Sequence, residues 1–421
     1  MGDFPVVILR ARTILPIASP SVEDGAIVIQ GARILAAGRW ADLHVHWTGE
    51  PLDLGERVVL PGLINGHCHL DYTSMAGELP ATRHFTDWIK AITAAKAGKT
   101  YSDFAESWVS GARMLLDHGT TTVGDIEAVP ELLPDIWDST PLRIVSFLEM
   151  TGVRSRRVPA EVLGEALARV EGPGHPRSRM GLSPHAPYST TPGLLQLTAL
   201  AARERRLPLS MHVAESAEEF DMFRHGRGPL FDWLRKQRDM SDCGKRSPVQ
   251  HLAGNGMLGP DLCAVHVNHI EAGDAALLGE NGVSVVHCPR SHEFFGHRRF
   301  PLEELTAAGV NVCLGTDSLA SVRKQKRKPM ELDLFAEMRA LASREPGLSP
   351  STVLRMATLN GAQAMGMSGR AGVLSEGACA DLIAVPFSGT AMDAEAAGVH
   401  HAGRVDASMI DGRWAIEPEA I

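Results

Sequence analysis

The stretch VVLPGLINGHCHL, residues 58–70, decides how the rest of the chain is read. Apolar and β-branched residues run up to a pair of histidines, His67 and His69, two positions apart. On a strand, residues at a spacing of two face the same side, so both imidazoles are available to one ion. Gly66, just before them, lets other backbone come close, as a tight site needs.

Outward from this stretch the pattern repeats. Short apolar runs at 58–69, 121–125, 142–150, 179–185, 208–212, 262–266, 283–288 and 310–317 alternate with amphipathic segments such as 103–118, 160–170, 193–205 and 301–308. Runs of this kind, each followed by a helical period, are the mark of parallel strands buried on both faces. Eight of them predict an α/β fold, a closed (β/α)₈ TIM barrel. An open doubly wound sheet is the alternative, but no Gly-rich phosphate turn follows the first strand. Residues 1–57 and 366–421 instead alternate with Gly-rich turns and lack helical period, which predicts a small β-sandwich built from both ends around a barrel at 58–365.

The polar residues fall at the ends of these runs. The first ends in His67 and His69, the fourth in His185, the fifth in His212, the sixth in His266 and the last in Asp317. Strand C-termini form the active-site face of an α/β barrel, so these groups are expected to converge. Separate burial of each as a core residue would be costly in desolvation. Three histidines and a carboxylate (His67, His69, His212 and Asp317) suit one divalent metal ion, Zn²⁺ first, with Fe²⁺ or Mn²⁺ as alternatives. Glu215 lies three residues beyond His212 and reaches the same site only if the chain turns just past the strand; its other reading is a helix N-terminal carboxylate. Of His266 and His269, also three apart, only one should face inward, and His266 is chosen; His287 is expected to pack.

With 421 residues, 44% of them hydrophobic, and a net charge of −9, the chain has an ordinary globular balance and no nucleic-acid surface. Its basic exception, residues 323–328 (RKQKRK), reads as a solvated segment or an anion contact. No run suits a transmembrane helix, no secretory signal is expected at the start, and six scattered cysteines point to a cytoplasmic setting. A homodimer is expected.

PGLINGHCHL, LSPHAPYS (182–189), MHVAES (211–216), VHVNHI (265–270), VVHCPRS (285–291) and LGTDS (314–318), in this order, resemble the amidohydrolase superfamily. They are most similar to its deaminases of adenine-type compounds (S-adenosylhomocysteine, methylthioadenosine, aminodeoxyfutalosine). The resemblance implies a hydrolase acting on non-peptide carbon–nitrogen bonds and releasing ammonia by attack of a metal-activated water on a small-molecule substrate. It assigns His67, His69, His212 and Asp317 to the metal, Glu215, His266 and Asp317 to catalysis, and His185 to the substrate base or ribose. It also suggests Trp88 as a cover over the site, packing within a helix being its other reading. Arg154, with Arg156 and Arg157, stands where related enzymes pair with a substrate carboxylate, solvated loop arginines being the other reading for at least two of the three. The fourth strand offers no bridging lysine, which favours a single metal. The sequence departs from the family pattern at His292, in place of an Asn, and at Val322; the form SHEFFGH (291–297) resembles the aminodeoxyfutalosine deaminases. Rival readings are a cyclic amide hydrolase or chlorohydrolase on the same scaffold and, more remotely, a non-catalytic scaffold protein.

Overall fold

The computed structural model describes residues 4–47, 49–80, 82–153, 157–172, 174–324, 326 and 329–419. The N-terminal strands are β1 (Val6–Ile14), β2 (Val22–Gln30), β3 (Arg33–Arg39), β4 (Leu52–Asp53) and β5 (Arg57–Pro61). The barrel strands are β6 (Leu63–Cys68), β7 (Thr120–Glu127), β8 (Arg143–Met150), β9 (Ser178–Pro184), β10 (Leu209–Val213), β11 (Leu262–His266), β12 (Ser284–His287) and β13 (Asn311–Leu314). β14 (Leu382–Pro386), β15 (Ala407–Ile410) and β16 (Arg413–Ile416) complete the chain.

β6 to β13 pair in parallel, each with its neighbour in sequence. The circle closes where the backbone N–H groups of Thr316 and Asp317 donate to the carbonyl of His67, at 3.0 and 3.1 Å. Asn65 reinforces this seam. Its amide donates to Thr316 Oγ1 (2.8 Å) while its carbonyl accepts from Thr316 N (3.0 Å). Two glycines let the strands approach: a Cβ on Gly66 would lie 3.1 Å from Cys313 Sγ, and one on Gly315 would lie 2.9 Å from the His67 carbonyl. The barrel interior is filled by Ile64, Ile126, Phe147, Val265 and Val286, with the thiols of Cys263, Cys288 and Cys313 among them. Helix Leu359–Ala364 packs Gly361 against Ile64 and closes the end where the strands begin. The eight-strand barrel therefore agrees with the spacing of apolar runs.

The first expected strand, 58–69, is two strands. Residues 57–61 belong to the terminal sheet, where β5 pairs with β14 antiparallel and β1 in parallel. Pro61 and Gly62 break the run, because proline has no N–H to continue a ladder. The terminal segments form one sheet, ordered β16-β15-β14-β5-β1-β2-β3, with β4 on β1. It bends over its own core of Leu9, Ile27, Ile29, Val59, Leu382 and Met409. Its far edge folds back, the N–H of Ile34 donating to the Ala378 carbonyl at 2.9 Å. The buried ion pair of Arg143, the first residue of β8, with Asp381 (2.7 Å) ties this sheet to the barrel.

Replacing Asn65 by Ala removes three hydrogen bonds from the buried seam: the donor to Thr316 Oγ1, the acceptor of His67 N (3.3 Å) and the second acceptor of Thr316 N. A stability loss of about 2–4 kcal/mol is expected, read from the urea unfolding midpoint, with an unchanged slope if the native barrel still closes.

Candidate active site

The sequence-expected groups do meet at the C-terminal mouth of the barrel. His67, His69, His212, His266 and Asp317 are all buried there. His67 and His69 sit edge to face at 4.9 Å between ring centroids, and His67 stands 4.9 Å from His212. His69 Nε2 and His212 Nε2 are 3.3 Å apart, and Asp317 Oδ1 is 3.6 Å from Nε2 of both His67 and His69. Four donors at about 2.0–2.1 Å from a tetrahedral ion are about 3.3 Å from one another. The donor set therefore fits such an ion. Orphaned atoms agree: both ring nitrogens of His67, Nδ1 of His69 and Nε2 of His266 are buried without a hydrogen-bond partner.

Surrounding groups aim these ligands. The Nδ1–H of His212 donates to the His185 carbonyl (2.9 Å), which leaves Nε2 as the free lone pair. Asp317 Oδ2 accepts from Ser291 Oγ (2.6 Å) and Ser321 Oγ (2.9 Å), turning Oδ1 to the histidines. Burial pushes His69 and His212 well below the ordinary imidazole range, helped by neighbouring imidazoles. Burial also lowers His266, to about 3. All three are thus neutral at pH 7, as metal ligation requires. For Asp317, burial acts upward but is outweighed by the surrounding imidazoles, His67 (3.6 Å from Oδ1) first, then His266 and His69, so its carboxyl is held well below the ordinary range.

Glu215 reaches the site through the turn its position demands. Ala214 adopts φ +50°, a left-handed conformation that side chains rarely adopt. Glu219 stabilises that turn, accepting from the N–H groups of Ala214 (3.0 Å) and Glu215 (2.9 Å). Asn268 Nδ2 donates to the Glu215 carbonyl (3.0 Å) and is itself oriented by His292 Nδ1 (3.0 Å). Glu215 Oε1 then lies 3.7 Å from His266 Nε2. Burial raises the Glu215 carboxyl well above its ordinary value, and Asp317 and Glu219 add to the rise.

A cavity of about 280 Å³ opens over these groups, walled by Trp88, Ile92, Lys96, Glu149, Tyr188 and Trp233 among others. His185 lines it, 4.9 Å from His212 between ring centroids. Trp88 packs against Phe295 (5.0 Å) and Phe85 (6.1 Å), and its Nε1–H is buried without a partner. Trp88 is thus both a helix residue and a wall of the site. Arg154 and Arg156 lie outside the described residues, as do residues 325, 327 and 328 of the basic run; Arg157 pairs with Glu165. His269 is buried beside His297 (5.4 Å), and His287 stacks on Phe300 (3.9 Å).

Sequence reasoning missed Glu219, Ser291, Ser321, Asn268, Tyr72, Lys96 and Glu149. A signal existed for Glu219, since Ser216-Ala217-Glu218-Glu219 has the spacing of a capping box. Ser216 Oγ does accept from Glu219 N (3.1 Å), but the Glu219 carboxylate serves the residues before the cap. His292, where the resemblance leads one to expect Asn, is joined to the site by its hydrogen bond to Asn268.

Eight parallel strands closed into a barrel, with buried histidines and an aspartate gathered at the strand C-termini, place a cluster able to hold a metal ion on the functional face of an α/β barrel. Residues 58–415 match the amidohydrolase family, and the chain belongs to it. It is a hydrolase of carbon–nitrogen bonds other than peptide bonds. It is 33% identical over 402 residues to the 5-methylthioadenosine/S-adenosylhomocysteine deaminase of Syntrophobacter fumaroxidans, covering 87% of this chain and 80% of that one. Its fold is that of an adenosine deaminase from Xanthomonas campestris with bound zinc, with TM-score 0.82 at 24% identity over 97% of this chain and 92% of that one. It is also that of the Helicobacter pylori aminofutalosine deaminase in complex with methylthio-coformycin, with TM-score 0.85 at 20% identity over 97% and 100%. Among the described residues, no helix is long and apolar enough to cross a membrane.

Glu219→Ala removes the acceptor for two backbone N–H groups and frees the strained turn at Ala214. Turnover is expected to fall about 100-fold, the cost of a small misplacement of the reacting group, while the metal measured per chain stays as in the parent.

Proposed function

We propose that this protein is a zinc-dependent deaminase of an adenine-type nucleoside or derivative, with His67, His69, His212 and Asp317 holding the ion. The observation that carries the reading is the placement of two carboxyl groups beside His266: Asp317, grouped with His67 and His266 and shifted downward, and Glu215, 3.7 Å from His266 Nε2 and shifted upward by burial. Environments that drive paired titratable groups apart set acid and base roles. A bound divalent ion supplies Lewis acidity, bringing the pKa of water from about 15.7 towards about 7.

Asp317 accepts the proton that the attacking water gives up. Glu215 donates its own to the ring nitrogen next to the carbon bearing the amine, which makes that carbon electrophilic. His266, whose Nε2 is buried and unpartnered, faces the oxygen as charge gathers there. A C–O bond forms and the C–N bond breaks. One proton of the water passes through Asp317 to the amine, which leaves as ammonia; the other restores Glu215, whose own proton stays on the ring nitrogen of the product, and no oxidant or reductant is needed. His185 and Trp88 meet the base and cover it. The six buried, unpaired cysteines support a cytoplasmic setting.

Glu215→Gln is expected to keep the metal and lose turnover by about 10²–10⁴-fold; a near-parental rate removes Glu215 from the acid role. The pH profile carries a sign. Glu215 must be protonated to donate, so kcat falls as pH rises through its raised pKa, and the glutamine variant loses that alkaline limb.

The reading as a whole is tested by metal content and ammonia release from methylthioadenosine, S-adenosylhomocysteine and aminodeoxyfutalosine. About one metal per chain with efficient release from one compound is expected. Metal without ammonia from any of them directs attention to cyclic amides and substituted heterocycles. Chelation should abolish turnover, and added Zn²⁺ should restore it.

A further inference from the structure

Behind the cavity wall lies a buried arginine that the chemistry just described does not use. Arg238 follows helix Pro229–Leu234 by four residues, and only 1% of its side chain is exposed. Its Nη1 donates to the carbonyls of Pro187 (3.3 Å) and Tyr188 (3.2 Å), its Nε to the Asp239 carbonyl (3.2 Å), and its Nη2 to Asp242 Oδ2. Cζ stands 5.8 Å from the centroid of the Phe223 ring. The backbone N–H of Arg238 donates to the Leu234 carbonyl at 3.0 Å. Asp242 is fixed in turn, with Oδ1 accepting from Cys243 Sγ (3.4 Å) and Oδ2 lying 3.8 Å from His251 Nε2.

Two pieces of chain that line the cavity meet in this residue. The chain after β9, through the turn Pro187–Ser189, brings His185 and Tyr188 to one wall, and helix Pro229–Leu234 brings Trp233 and Leu234 to another. Stability does not account for the arrangement. A buried ion pair costs about as much in desolvation as its attraction returns, and apolar residues of similar volume often serve as well. What a guanidinium adds is a rigid planar fork that holds acceptors on different segments at fixed separations. We propose that Arg238 is a positioning residue, which sets the width of the substrate cavity between Tyr188 on one side and Trp233 and Leu234 on the other. The proposal rests on the nucleoside reading above for the identity of the ligand, and adds to it what fixes the shape of the ligand's seat. The metal-type ligands stand apart from this contact. His212 takes its direction from the His185 carbonyl, and His185 is itself tied to β8, its N–H donating to the Met150 carbonyl at 3.1 Å. Loss of the fork is therefore felt in ligand binding and leaves the metal in place.

The test compares the metal-loaded full-length enzyme with Arg238→Lys, which keeps a charge beside Asp242 but offers one nitrogen where the guanidinium presents two. Ammonia release from methylthioadenosine and S-adenosylhomocysteine gives kcat and KM, and the shift in thermal midpoint gives binding. KM should rise about tenfold or more, the size of a hydrogen bond to a charged group. The change in kcat should stay below about threefold, as loss of uniform binding requires, with parental metal per chain. Arg143→Lys is the comparison, because Arg143 is a buried arginine at the other end of β8 from the cavity. It should lower the thermal midpoint of the free enzyme without moving KM. Amide hydrogen exchange needs no substrate: in Arg238→Lys, residues 186–190 and 229–237 should exchange faster together while the barrel strands keep parental rates. Where Arg238→Lys does not fold, Asp242→Asn loosens the fork at its anchor and should raise KM in the same sense. An unchanged KM in folded Arg238→Lys overturns the proposal, as does a loss carried by kcat alone. An equal rise of KM in Arg143→Lys overturns it too, since general loosening would then explain both. If the parent neither binds nor turns over any adenine compound, the nucleoside reading falls and exchange decides: parental rates in the two segments overturn the positioning role, and their joint acceleration upholds it.

Discussion

Burying four imidazoles and a carboxylate at one barrel mouth is the constraint on which this structure turns. Protonated, the histidines would repel one another in a place that water barely reaches; neutral, they leave lone pairs and N–H groups that need partners. His67 makes the point most plainly, with 0% exposure and neither ring nitrogen hydrogen-bonded. Such an arrangement gives up folding free energy unless an ion binds the native state and returns it. The barrel suits this constraint because its strands are fixed on both sides. His67 and His69 come from the end of β6, His212 from β10 and Asp317 from just past β13, so the cluster is held by three separate strands of the barrel.

The strands alone do not aim the groups. Ala214, His266, Val267 and Asp317 all have positive φ, at +50°, +74°, +50° and +53°, and none is glycine. Each such residue stores strain of about 1–3 kcal/mol. The strain persists because hydrogen bonds over-determine these turns: the Glu219 carboxylate across Ala214 and Glu215, the Val267 N–H to the Val213 carbonyl (2.9 Å), and the Asp317 N–H to the His67 carbonyl (3.1 Å). The last of these is also part of the seam that closes the barrel. Closing the fold and orienting Asp317 are therefore one event.

Much of this was legible before any coordinates, for a physical reason. A strand buried on both faces has almost no polar residues, so a histidine or aspartate at its end stands out, and His67, His69, His185, His212, His266 and Asp317 all lie where that rule puts them. What escaped reading depends on distance in the sequence. Ser291 and Ser321 are ordinary serines until Asp317 is seen between them. Lys96 and Glu149 come from a helix and a strand 53 residues apart, and only the folded chain brings both into the wall of one cavity. The break at Pro61-Gly62 was written in the sequence but outweighed by the continuous apolar run on both sides of it. Both halves of that run are indeed buried, one in the terminal sheet and one in the barrel.

The segment after β10 shows how a few residues link chemistry to enclosure. Ser216 caps helix Ala217–His225, and the first turn of that helix carries two consecutive carboxylates. Glu219 turns inward to hold the backbone of Glu215. Glu218 reaches the start of helix Phe85–Ala97, where it meets His84 Nδ1 (3.0 Å), the Thr86 N–H (3.0 Å) and the Thr86 hydroxyl. That helix carries Trp88, Ile92 and Lys96 into the cavity wall. Its N-terminal N–H groups favour a carboxylate there, through their own hydrogen bonds and the helix dipole. The position of Glu215 and that of the cavity wall are thus set by adjacent residues on one helical turn. A displacement of that turn would disturb both together, because Glu218 and Glu219 hold the two ends of one mechanical link between the strand end and the wall helix.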